Sequence, residues 1–374
     1  MRKTRQYMMS LALTTAMLLA GCSAESNIPG SSEADLPKVV MTDADIRVNV
    51  SAEQASAGTR AITYIEDIAT LQGEAAQQGA STNFINLNAW IDGGTTSHIS
   101  GARLMYFTDE YTSTSSWRFS ADASVSAFTN YYWPLTSSIN FFAYYPYTPT
   151  ADACITIGTY ANRAPKITCN LPVLDNQESL KKEFVYAYTQ AQNRSSNGET
   201  GVTLNFKHPL ARVYINLSHA LQRLTLNSVT FKDIYTQGTG TCGPSTTTWV
   251  SSGSKTDFPI TIEKIMGKDM YAGIIAGPFL VMPQSFGSGT QQLAVNATYS
   301  EWASSNPTVA SGVVVSGTGA TRTFTQTMSA AINWQAGYTY TYNIDLGTDS
   351  NGIILNITVD AWDDQGNGTT VDVE

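Results

Sequence analysis

Short runs of alternating apolar and polar residues recur along this chain, each bounded by turn formers, and they restrict its fold more than any other feature. Early examples are Ile46-Arg47-Val48-Asn49-Val50 and Phe84-Ile85-Asn86-Leu87-Asn88-Ala89-Trp90, followed by Ile139-Asn140-Phe141-Phe142-Ala143-Tyr144. Val202-Thr203-Leu204-Asn205-Phe206, Val213-Tyr214-Ile215-Asn216-Leu217 and Leu293-Ala294-Val295-Asn296-Ala297 continue the pattern. Tyr338-Thr339-Tyr340-Thr341-Tyr342-Asn343-Ile344 and Leu355-Asn356-Ile357-Thr358-Val359 bring it to the end of the chain. Helical periodicity is confined to Tyr64–Ala76 and Gln177–Lys182. Many short strands with frequent turn signals predict an all-β chain built of sandwiches, with short helical insertions. The polar run Gln190–Gly201 separates an aromatic-rich part from one rich in Val, Ile and Thr, which predicts two β-sandwich domains, 45–198 and 199–374.

The N-terminus reads differently. Arg2, Lys3 and Arg5 precede an apolar stretch from Met8 to Ala20, the layout of a secretory signal over residues 1–21 and too short for a permanent membrane span. Leu19-Ala20-Gly21-Cys22 resembles the lipobox of bacterial lipoproteins, which implies acylation (palmitate) at Cys22 and an outer-membrane lipoprotein precursor. Residues 22–44 then form a lipidated tether, because Ser23–Pro37 is too polar and proline-punctuated to bury a core. The remainder is long enough for two domains of ordinary size.

Charged residues make up 14% of the chain, against roughly 25% in typical soluble proteins. With 21 Lys and Arg against 30 Asp and Glu and no basic cluster, nucleic acid is excluded as a partner on electrostatic grounds. Apart from Cys22, three cysteines remain, an odd number. Cys154 and Cys169 lie in two strand-like runs joined by a loop, a layout that allows a hairpin disulfide in an oxidising compartment. No Cys/His spacing points to metal, and no cofactor is implied.

Catalytic chemistry finds little footing. Of His98, His208 and His219, only His208, in the run Phe206-Lys207-His208-Pro209-Leu210, has an interpretable setting, and it reads as a packed or hydrogen-bonded residue. There is no G-x-S-x-G elbow, and Ser316-Gly317-Thr318-Gly319 lacks the strand-to-helix context of a phosphate loop. Asp360, Asp363 and Asp364 lack a calcium-loop pattern and read as a solvated turn. The aromatics Tyr131, Tyr132, Trp133, Phe141, Phe142, Tyr144, Tyr145 and Tyr147 read as core filling, with stacking on sugars as the alternative should they be exposed. The chain is therefore read as a non-enzyme.

Six pieces in order resemble the fimbrillin-like (Mfa-like) lipoproteins, subunits of type V pili. They are the lipobox; Gly58-Thr59-Arg60-Ala61; Tyr132-Trp133-Pro134 with Ile139 to Pro146; Phe206 to Val213; Gly337-Tyr338-Thr339-Tyr340; and Ile357-Thr358-Val359-Asp360-Ala361-Trp362. The resemblance implies two transthyretin-like β-sandwiches in a subunit of a cell-surface fimbria serving adhesion. It further implies that protease cleavage after Arg60, leaving Ala61 as the new N-terminus, releases the N-terminal strand carrying Ile46, Val48 and Val50. A strand from another pilin subunit would then fill the groove.

The residues themselves are consistent with that scheme. Ile46, Val48 and Val50 alternate with Asp45, Arg47 and Asn49, so one face can be buried and the other wet. Ser51–Thr59 is small and polar, the kind of segment proteases nick. The expected partners are other pilin subunits through β-strand addition, the outer membrane through the lipid before maturation, and a host or bacterial surface ligand. The poor apolar content of Thr369-Thr370-Val371-Asp372-Val373 as a donor strand leans towards a tip or accessory subunit rather than a stalk. A non-polymerising surface lipoprotein that binds glycans through exposed aromatics is the alternative.

Overall fold

β-branched and aromatic residues at alternate positions suit a pleated surface, and strands dominate the computed structural model accordingly. It describes residues 45–52, 68–76, 84–108, 113, 115–121, 128–158, 164–172, 180–219, 224–266, 271–286, 290–299, 321–328, 333–345, 354–361 and 369–372. All of these fall in one compact unit, Thr42–Glu374.

The first elements are β1 (Val48–Ala52), α1 (Ile68–Glu74), β2 (Ile85–Ile91), β3 (Ser97–Thr108), β4 (Ser115–Ser120), β5 (Phe128–Thr129) and β6 (Ile139–Tyr145). Next come α2 (Pro149–Ala153), β7 (Ile155–Ile157), β8 (Lys166–Asn170), β9 (Val185–Gln192), α3 (Arg194–Asn197) and β10 (Val202–Phe206). The second half holds β11 (Ala211–His219), β12 (Leu224–Ile234), β13 (Gln237–Cys242), β14 (Thr247–Ser252), β15 (Thr256–Met266) and β16 (Tyr271–Val281). It closes with β17 (Gln292–Tyr299), β18 (Thr321–Thr327), β19 (Tyr338–Asp345), β20 (Ile354–Ala361) and β21 (Thr369–Asp372).

A sheet of order β5-β4-β3-β2-β6-β9 is the centre of the N-terminal half. One face packs on β1, β10 and α1 around Ile46, Leu71, Leu87, Phe141 and Phe206. The other packs on a sheet of order β14-β13-β8-β7, around Trp90, Phe142, Tyr186, Ile167 and Cys242. Burial on both faces explains why every residue of β6 is buried. It also takes in the polar residues that alternate with the apolar ones in β2. Asn86 and Asn88 are buried on the second face, where the Asn88 side chain donates to Asn86 at 2.8 Å and accepts from the Gly101 amide at 2.8 Å.

In the C-terminal half, a sheet of order β16-β11-β19-β20-β21 faces one of order β15-β12-β17-β18. Between them lies a core that includes Val213, Ile215, Val229, Phe231, Val295, Trp334, Tyr342 and Ile357. β11 runs parallel to β19 and antiparallel to β16, and β19 pairs in turn with β20.

The halves do not separate at residue 198. β10 lies beyond that point yet supplies Val202, Leu204 and Phe206 to the N-terminal core. β13, far beyond it, pairs with β8 in register from Thr241↔Lys166 to Gln237↔Asn170. The polar run Gln190–Gly201 is no linker either. It holds the end of β9 and α3, whose first turn is capped by the Asn193 side chain accepting from the Ser196 amide at 3.0 Å. The helical reading of Tyr64–Ala76 is met by α1 within its described part. That of Gln177–Lys182 is not: Leu180, Lys181 and Lys182 are not helical, and Lys181 and Lys182 instead donate their amides to the Asp152 carbonyl at 2.9 and 3.1 Å.

Candidate functional site

The segment Asp45–Ala52 lies outside the six-stranded central sheet and holds to the N-terminal half through few strand partners. β1 runs parallel to β10 in register from Val48↔Val202 to Ala52↔Phe206. On its other side, among the described residues, pairing is limited to the start of the segment. There Asp45 bridges Tyr132 in antiparallel sense, and the Ile46 amide donates to the Tyr131 carbonyl at 2.7 Å.

Alternation decides what each side chain does. Ile46 is 1% exposed and Val48 6%, and both enter the core beside Val202, Leu204 and Phe206, with Val50 partly buried against them. The other face meets solvent, as expected, with Asn49 exposed and Arg47 and Ser51 partly so, and it is also latched. Arg47 Nη1 donates to the Glu199 carbonyl at 3.0 Å, Asn49 Nδ2 to the Thr200 carbonyl at 2.7 Å, and Ser51 Oγ to Asn205 Oδ1. Asp45, expected on the wet face, is buried, since the Tyr131–Tyr132 backbone closes over it. Gly201 makes the latch possible. At φ +83° it turns the chain against β1, and a Cβ there would lie 3.1 Å from Asn49 Nδ2 and 3.2 Å from Arg47 Cβ.

These contacts define a groove lined by β10, the Glu199–Gly201 turn and the core face of the central sheet. Its occupant is a single short strand held by two or three apolar side chains and three polar ones. Sequence alternation located the apolar face. Arg47, Asn49 and Ser51 were missed as latches because their partners lie 151 to 154 residues away.

Other residues singled out in the sequence fall as follows. Cys22, Arg60 and Ala61 lie outside the described residues, as do Asp363, Asp364 and the 316–319 turn. Cys154, Cys169 and Cys242 are free cysteines, so the structure has no Cys154–Cys169 disulfide. Cys154 sits at φ 55° at the end of α2, and Ile155 rather than Cys154 stands opposite Cys169 in the β7–β8 register. Burial raises the Cys154 and Cys169 thiols above their ordinary range, which keeps both poor thiolates.

His208 is buried and in contact with Glu183, Nδ1 to Oε1 at 2.9 Å, a packed and hydrogen-bonded histidine. His98 contacts the Tyr132 carbonyl through Nε2 at 2.6 Å. The aromatic cluster fills the core: Trp133, Phe141, Phe142, Tyr144 and Tyr145 are buried, Tyr131 and Tyr147 are half-buried, and only Tyr132, at 59%, is exposed. Most of the cluster is therefore core filling, as its sequence setting suggested.

Comparison with known proteins bears on what such a groove is for. A family model described as Fimbrillin-like matches residues 85–362. No curated protein matches the chain. A fimbrial protein from Bacteroides vulgatus ATCC 8482 shares 16% identity at a TM-score of 0.57, covering 85% of this chain and 99% of its own. A candidate cell adhesion protein from Bacteroides uniformis ATCC 8492 shares 16% identity over 86% of this chain and 99% of its own, at a TM-score of 0.44. The first of these likenesses shows a common fold. The matching family is one of structural fimbrial proteins of the cell surface, not of enzymes. The residues matched span most of the chain, from β2 to just beyond β20, and the protein belongs to the fimbrillin-like family.

Proposed function

We propose that this chain is a subunit of a type V pilus, exported as a lipoprotein acylated at Cys22, matured by cleavage between Arg60 and Ala61, and assembled by strand donation into a fibre that serves adhesion. The observation that carries this reading is the seating of β1. Its apolar side chains complete the N-terminal core while its strand pairing is almost wholly with β10.

The physics of the exchange follows from the covalent link. While the chain is intact, β1 is held near its groove at high effective concentration, and a strand from another molecule cannot compete. Cleavage after Arg60 ends that advantage. Loss of β1 would uncover Val202, Leu204 and Phe206 and strip the β10 backbone of its partner, a combination that favours capture of another strand. The incoming strand would run parallel to β10 and carry apolar residues at alternate positions, matching those of Ile46, Val48 and Val50.

The test is the intact mass and N-terminal sequence of the protein recovered from the cell surface, beside an Arg60→Ala variant. A mature chain beginning at Ala61, with the variant still acylated at Cys22 and unassembled, is the expected result. A surface protein that keeps its acylated Cys22 and stays monomeric would overturn cleavage-triggered assembly and leave a non-polymerising lipoprotein.

A further inference from the structure

A second concavity, distinct from the β1 groove, lies where the β14-β13-β8-β7 sheet meets segments of the C-terminal half. It is an open cleft of about 880 Å³. One wall is β14 and the turn before it, the opposite wall is the ribbon formed by Pro283–Ser285 and Asn333–Tyr338, and Lys207, His208 and Tyr235 also line it. Such a volume at the junction of two cores is typical of a ligand site.

Each wall is pinned by its own hydrogen bonds. Gln284 and Trp334 exchange two backbone hydrogen bonds at 3.0 Å each. The Gln284 side chain accepts from the Tyr235 amide at 3.0 Å and donates to the Tyr235 carbonyl at 3.1 Å. Trp249 Nε1 donates to the Pro209 carbonyl at 2.6 Å, which fixes the indole at the edge of the cleft. The Gln335 amide donates to the Tyr340 hydroxyl at 2.8 Å, and that hydroxyl donates to the Asn333 carbonyl at 2.6 Å. A cleft held this way is preorganised, so a ligand would bear little of the ordering cost.

The lining chemistry narrows the ligand. Among the described residues no carboxylate lines the cleft, so a cation finds no counter-charge there. Lys207 is the one lysine or arginine among the described lining residues, with no second one beside it to clamp an anion. What remains is neutral and amphipathic. Thr246, Thr248 and Gln335 are exposed and offer hydroxyl and amide groups, and half-buried Tyr235, Trp249 and Tyr338 offer aromatic surface. Sugars have the complementary character, with hydroxyl rims to hydrogen-bond and C–H faces to lie on amphipathic rings.

We infer that this cleft binds a neutral oligosaccharide. The site shares no residue with β1 or its groove and can be assayed on the uncleaved chain, so its outcome is separate from that of strand donation.

The experiment is saturation-transfer NMR on the full-length protein with N-acetyllactosamine, its sialylated counterpart and a threonine-rich peptide, after a screen on a neutral glycan array. Transfer to the ring protons of a neutral sugar is expected, weakened about tenfold or more in Trp249→Ala. Thr246→Arg, at an exposed position, should cause a similar loss with an unchanged thermal midpoint, which separates site from fold. No transfer to any neutral glycan that the array retains, or transfer undiminished in both variants, would overturn the inference. Preference for the sialylated sugar or for the peptide would overturn it too, assigning the cleft to an anion or to an added strand.

Discussion

Backbone conformation sets the sharpest demands on single residues. Gly277 adopts φ +109° in β16, and a Cβ there would stand 2.7 Å from the Val213 carbonyl oxygen and 2.9 Å from Tyr214 Cα. Both neighbours are backbone of β11 and cannot rotate away. Gly277→Ala should therefore destabilise the protein by about 1–3 kcal/mol from the left-handed conformation, with the clash adding to that. Thermal unfolding would show it, and an unchanged midpoint would mean that β16 shifts freely against β11. The pairing of Glu183 with His208 is a different kind of demand. Each side chain is 1% exposed, so the pair satisfies groups that burial would otherwise leave costly. Sequence reading recognised His208 as structural from its motif, but Glu183, 25 positions earlier, could be matched to it only in space.

β1 is attached by apolar burial on one face and polar latching on the other. Val48→Asp would forfeit about 1.5–3 kcal/mol of apolar burial and also place a charge against the core. The expected outcome is local. Amides at the β1–β10 interface should exchange with solvent faster, while those of the β2–β6 ladder keep their protection, because that ladder rests on other contacts. Uniform loss of protection across both ladders would show that β1 is integral to the fold rather than a separable strand. The strand itself was legible in the sequence as alternation. Its partner was not, since Val202–Phe206 alternates equally well and was grouped with the C-terminal half by its position after the polar run.

The molecule as a whole is knitted across the middle of the chain. A fragment of residues 45–198 would lack β10, β13 and β14, leaving β1 without its ladder and Ile167 and Cys169 without their cover. It should show no cooperative melt by circular dichroism, whereas a sharp transition would establish residue 198 as a true boundary. Alkaline stability is a second molecular property. Burial, with the Glu74 hydrogen bond adding at Tyr145, raises the phenols of Tyr145, Tyr340 and Tyr342 above the ordinary 10.0. They stay neutral when folded and ionise when unfolded, so stability is unaffected below that value and falls as pH rises beyond it. The slope should approach about 1.4 kcal/mol per pH unit for each tyrosine, or about 4 for the three. Denaturant titrations at pH 9 and 11 would reveal the difference, and Tyr342→Phe should make it shallower.

The amino-acid sequence by itself determined the all-β class, the strands and their apolar faces. Each of these depends on spacing along the chain, through the two-residue period of a strand. Tertiary structure alone decided which strands pair, that Asn86 and Asn88 face a second core rather than water, and that Arg47, Asn49 and Ser51 close on a turn some 150 residues away. It also decided that β13 joins β8 and so draws the two halves around a shared cleft. The physical reason is that alternation tells a strand which face to bury but carries no address for its partner. Strand pairing depends on complementary surfaces and sheet register, and those come into being only when distant segments meet.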